Sequence, residues 1–152
     1  MLLTRRGLQR AFLYGLISGL FLAALLKIIE HITRFKVYTL LLNVDYIPYI
    51  KTFVFPELVE VGFHLIVSIA LSICLYLMII NGKISSSRKI IVLCTFVSFI
   101  IGVAIFPTTT FSDRTPAFTS IPSFSYWIVG HIMYGCIMGI LFARYLTKEK
   151  GF

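Results

Sequence analysis

Long apolar runs and short polar breaks alternate along the chain, and the runs share a length. Four can be marked, roughly 11–30, 58–81, 89–106 and 125–145, each close to the ~20 residues that carry an α-helix across a ~30 Å hydrocarbon core. The pattern predicts an all-α polytopic membrane protein, with four transmembrane helices in one bundle and a single domain over 1–152. The break NGKISSSRK (81–89) is short and rich in turn residues, so the second and third helices are expected to form a tight antiparallel hairpin. The segment 32–56 contains VYTLLLNVDYIPYIKTFVF, too interrupted to span and too apolar for a free loop. It predicts a short interfacial helix with Tyr38, Tyr46 and Tyr49 at headgroup level, followed by Pro56 ahead of Glu57 at the first turn of the next span. In 107–127, Pro107 is expected to stop the third helix, and Tyr126 and Trp127 to mark the return of the fourth.

Composition makes the membrane reading firm. Residues of the AVILMFWYC set make up 59% and charged residues 13%, against about 45–50% and about 25% in soluble domains. Mean hydropathy is +0.95, more than one small core can absorb, so the remainder faces lipid. A soluble enzyme, a disordered chain and a disulfide-stapled module are all excluded.

The net charge of +8 is an orientation signal, with no nucleic acid partner implied. Arg5, Arg6, Arg10, Lys83, Arg88, Lys89, Arg144, Lys148 and Lys150 gather on one side. Arg34, Lys36, Lys51 and Arg114 lie on the other, with Lys27 inside the first span. Five of the six acids, Glu30, Asp45, Glu57, Glu60 and Asp113, fall at the side opposite the nine bases, and Glu149 on the basic side. Both termini are therefore expected in the cytoplasm, with the chain in a plasma or inner membrane. The basic, apolar start has no A-x-A cleavage site and continues into Lys27, Glu30 and His31, which reads as an uncleaved helix. Cys74, Cys94 and Cys136 occupy separate spans without C-x-x-C spacing, so neither a disulfide nor a redox role is expected.

Two features bear on chemistry. Gly15, Gly19 and Ala23 on the first helix, and Gly135, Gly139 and Ala143 on the fourth, recur at four-residue spacing, which lets helices approach closely; a glycine-lined substrate path is the alternative. On the second helix, Glu57, Glu60 and His64 fall within about 60° of one another, and Ser68 and Ser72 extend that stripe inward. His64 and His131 reach similar depths, roughly 10 Å and roughly 9 Å from the outer helix ends at ~1.5 Å per residue. Lys27, Glu30 and His31 point to the same layer.

Ionisable groups inside a membrane are costly and normally face the bundle with a partner. Glu57, Glu60, His64, His131, Lys27, Glu30 and His31 thus form a candidate polar or ion site, with three readings open: a structural polar layer, a proton- or cation-responsive site, or a metal or haem site using His64, His131 and Glu60. E-x-x-E-x-x-x-H matches no familiar metal motif, so no cofactor is expected, and catalytic residues are not identified. P-loop, dinucleotide and G-x-S-x-G fingerprints are missing, which places an enzyme behind the other readings.

LYGLISGLFLAALLKIIEH, FHLIVSIALSICLYL, IGVAIFPTTT and IVGHIMYGCIMGILFARY together resemble small four-helix bacterial membrane proteins of the YqhR and YagU kind. The resemblance implies a bacterial inner-membrane protein without an assigned biochemical activity, the YagU type being associated with acid resistance; the long polar insertions of that type are missing here. Two function classes follow: an envelope protein with a protonatable site, or a non-catalytic partner subunit docking another membrane protein through its aromatic outer segments. Four helices enclose little room for a pore, so transport favours a homo-oligomer.

Overall fold

The structure, a computed structural model, describes residues 4–44, 53 and 55–148. The expectations placed on Asp45, Tyr46, Tyr49, Lys51, Glu149 and Lys150 lie outside them. The helices are α1 (Arg5–Thr33), α2 (Val37–Leu42), α3 (Glu57–Asn81), α4 (Ser87–Ile105) and α5 (Ile121–Lys148), with a 3-10 segment over Phe106–Phe111 prolonging α4. Four of them, α1, α3, extended α4 and α5, are long and apolar enough to cross a membrane. The chain is a multi-pass membrane protein built as an all-α four-helix bundle.

Capping explains why two helices outrun their apolar stretches. Thr4 Oγ1 accepts from Gly7 N at 3.0 Å, so α1 begins at Arg5 and carries its first arginines on helix. It ends where Arg34 turns left-handed at φ 65°, its N–H reaching Glu30 O. Ser120 precedes α5 in the same manner, its Oγ accepting from Ser123 N at 3.4 Å, and the helix starts at Ile121.

The expected hairpin of consecutive helices is not formed. α1 packs on α3, α4 on α5 and α1 on α5, while α3 and α4 scarcely touch. The cause lies in the small residues. A Cβ on Gly15 would lie 2.7 Å from Ile69 Cα, and one on Gly139 would lie 2.7 Å from Ile91 Cα. The glycines that admit a close neighbour therefore sit on α1 for α3 and on α5 for α4. The turn between α3 and α4 suits divergence: Lys83 adopts φ 50° and Ile84 N returns to Ile79 O at 3.0 Å.

At the end carrying Arg5 and Lys148 the bundle is closed by aromatic packing. Tyr76 stacks on Phe142 with centroids 6.0 Å apart, and Tyr14 meets Phe142 edge-on at 5.3 Å. At the other end the short helix α2 lies against α1, α3 and α5, with Val37 and Leu40 buried in the shared core.

Candidate polar site

The stripe on α3 is largely spent on helix packing. Ser72 Oγ donates to Ala11 O at 2.7 Å, Ser68 Oγ donates to Gly15 O at 2.7 Å, and His64 Nε2 lies 3.1 Å from Gly19 O. Each step advances four residues on both helices, so one face of α3 reads down one row of α1 carbonyls. Without water, a hydroxyl on a membrane helix takes the nearest carbonyl, and Ser72, at the far end of the stripe, is fully buried.

The half of the bundle beneath α2 retains polar groups around a cavity of about 110 Å³ between α3, α4 and α5, roofed by α2. Glu60, His64, Ser98, His131 and Tyr134 line it. A carbonyl can only accept, so His64 donates from Nε2 to Gly19 O and keeps Nδ1 as an acceptor. By the same rule His131 donates from Nδ1 to Trp127 O at 3.0 Å and keeps Nε2 as an acceptor. The His131 ring also packs on Trp127, centroids 4.2 Å apart. Ser68 gives its proton to Gly15 O, so Tyr134 OH is the donor in the 2.9 Å contact with Ser68 Oγ. Ser98 Oγ is fully buried and has no hydrogen-bond partner among the described residues.

Glu60 closes the α2 end. Its carboxylate is buried and receives Arg114 Nη1 at 3.1 Å and Nη2 at 3.4 Å, with the guanidinium half-exposed. Thr115 places the arginine by donating to Thr109 O at 3.1 Å and Ser112 O at 3.0 Å, which pins the loop beneath. Arg114 is the partner of Glu60 that the sequence pattern does not reveal, where it reads only as an orientation charge. A signal existed, since it is the sole Lys or Arg between Lys89 and Arg144 and faces a span that begins with two glutamates.

The other residues of the candidate set go elsewhere. Lys27 Nζ bonds Glu57 Oε1 at 2.5 Å, Tyr38 OH donates to the same oxygen at 2.7 Å, and the ammonium sits 5.3 Å from the Tyr38 ring centroid. This is an exposed rim. Burial first, and the bond to the Glu57 carboxylate second, hold the Tyr38 phenol above its ordinary pKa. Glu30 caps α2, accepting from Tyr38 N at 2.7 Å, Thr39 N at 2.9 Å and Thr39 Oγ1 at 2.7 Å. His31 is exposed on α1. Six of the seven residues therefore divide into cavity, rim and cap, and His31 stands apart from all three.

Among the described residues, no three His, Cys, Asp or Glu side chains converge as a metal-holding group, so His64, His131 and Glu60 share a cavity without forming a ligand set. Of the cysteines, Cys94 is buried and Cys74 exposed, and all three are free thiols. No family model, curated protein or solved structure matches the chain.

Proposed function

We propose that this small integral membrane protein holds a proton-responsive site in its outer half, formed by Glu60, His64 and His131. One observation carries the reading: two imidazoles line one cavity, and each keeps an acceptor nitrogen after its N–H is spent on a backbone carbonyl. A proton can be added to either ring without breaking the bond that seats it. A charge on one ring then disfavours a charge on the other, so the pair takes up protons in steps.

The groups facing the rings keep the cavity nearly neutral. α3 contributes Glu60, already matched by Arg114; α5 contributes Tyr134; α4 contributes Ser98 beside Cys94; the residue after α2 contributes the Asn43 amide; and α1 contributes the Gly19 carbonyl. The basic bias of the Arg5 and Lys148 end supports termini in the cytoplasm and a cavity toward the outer surface. A bacterial inner membrane, the expectation that the resemblance to the YqhR and YagU kind carries, belongs to the same proposal. Cysteines placed at Ser85 and Thr119 should label from opposite sides; labelling of both from one side rejects the orientation.

Trp127 supplies the test of the site. It is the sole tryptophan and lies against His131, and a cationic imidazole in van der Waals contact quenches indole emission. In liposomes, acidification from about pH 8 to about pH 4 should lower Trp127 emission in a sigmoidal step absent from His131→Gln. A flat profile, or a step that survives His131→Gln, rejects the proposal.

A further inference from the structure

We infer that the cavity binds a neutral hydroxylated aromatic ring, of the phenol or hydroquinone class, that reaches it through the gap between α3 and α4. The inference rests on taking this cavity as the functional site, and adds the ligand class. Three observations carry it.

The first is size. An apolar cavity of ~150 Å³ stays dry and holds benzene; at about 110 Å³ and open on one side, this cavity is on the scale of one ring. Leu22, Leu40, Phe63 and the Trp127 indole supply apolar walls for its faces.

The second is the polar inventory. Ser98 Oγ, fully buried on the cavity wall, lacks a partner among the described residues, and a buried unpaired hydroxyl is costly. The imidazoles offer acceptor nitrogens only. A ligand hydroxyl can donate to an imidazole and accept from Ser98, which satisfies both kinds of group. A ketone would satisfy Ser98 and leave the imidazoles unpaired. An anion finds no free imidazole N–H, since both are committed to Gly19 O and Trp127 O. A cation finds the Glu60 carboxylate already engaged on both oxygens by Arg114. Neutral hydroxyl groups are what this arrangement selects.

The third is access. Because α3 and α4 do not pack together, the cavity opens sideways between Phe63, Val67 and Leu71 on one helix and Ile101 and Ile105 on the other. Val67 is 60% exposed on this apolar slot. Among the described residues a ligand dissolved in the bilayer meets only apolar side chains along this slot, and an apolar tail on the ring can remain among the lipid chains.

The experiment uses the full chain in phosphatidylcholine nanodiscs held at pH 8, with Trp127 emission as readout. The probes are benzoquinol carrying a short isoprenyl tail, the tailless benzoquinol, and the dimethyl ether of the tailed ring. The tailed quinol should quench saturably, and the dimethyl ether should bind at least about tenfold more weakly for want of hydroxyls. Ser98→Ala, which shortens the side chain without new bulk, should weaken the quinol about two- to tenfold. Tighter binding of the tailed than the tailless quinol identifies a membrane-borne ligand, and equal binding identifies a free phenol; either sustains the ring site. Quenching that rises linearly, or that is the same for quinol, dimethyl ether and Ser98→Ala, overturns the inference and leaves a cavity filled by water or lipid. Ligand-free acidification of the same nanodiscs keeps the proton-responsive reading separate: its step can persist when ring binding fails, and the reverse.

Discussion

The α1–α3 and α4–α5 interfaces begin from the same device, glycines four residues apart, and end in different chemistry. Along α1–α3 the close approach lets His64, Ser68 and Ser72 reach the carbonyls of Gly19, Gly15 and Ala11, so polar atoms lock the helices together. Along α4–α5 the helices come as near, with a Gly135 Cβ lying 2.7 Å from both Cys94 O and Thr95 Cα, yet Ser98 Oγ is left unpaired. The principal side-chain bond there is Trp127 Nε1 to Gly102 O at 2.8 Å. A polar group in a membrane helix becomes available for function when the geometry that buries it does not also satisfy it.

The largest effect should come from closing both approaches. Gly15→Leu and Gly135→Leu each drive a side chain into facing backbone and should cost more than ~3 kcal/mol, read as loss of folded protein in detergent. If one variant folds normally, the two interfaces are not equivalent in tightness. Next is the Glu60 latch. Arg114→Ala strands a buried carboxylate and should destabilise by about 1–3 kcal/mol, with Glu60→Gln in the same chain restoring part of the loss. Thermal melts of the singles and the double give the coupling directly.

A smaller contrast sharpens the comparison itself. Ser72→Ala removes a satisfied bond and should cost about 0.6 kcal/mol, at most ~1.7, whereas Ser98→Ala removes an unsatisfied hydroxyl and should be neutral or stabilising. Equal losses in steric-trap or denaturant measurements would erase the distinction between the interfaces. The slightest effect belongs to the rim. The Tyr38 phenol has a raised pKa in the folded chain, so its contribution is fully present below the ordinary phenol value near pH ~10 and fades as pH rises through the folded one. Tyr38→Phe should therefore give up a small contribution at neutral pH, the bond to Glu57, and soften the alkaline loss of stability.

Much of this was legible in periodicity. Apolar runs of one length gave the four spans, and the glycine spacing pointed to the faces that pack, because both depend on local repeat alone. The grouping of Glu60, His64 and His131 on one cavity was approachable from helical phase and depth. Which helix each face would meet was not, since short loops suggest neighbours while glycine placement chooses them, and α3 chose α1 over α4. Arg114 eluded the pattern because loop residues carry no period, and its place depends on Thr115 fastening the loop from below. The serine stripe was legible as a face but not as bonds, since phase tells which way a hydroxyl points and not whether a carbonyl is waiting there.

The estrangement of α3 from α4 has a consequence for how the chain is assembled. Each tight interface joins helices from one half of the sequence, α1 with α3 and α4 with α5, and the halves meet through α1 and α5. The connection over 82–86 therefore tethers two self-contained hairpins and contributes little to either. Two separately translated pieces, divided near Ser85, each hold a complete interface and should insert independently and recombine in the bilayer. The same modularity would let the slot beside the cavity change width through a tilt of one hairpin against the other, with no helix needing to unwind.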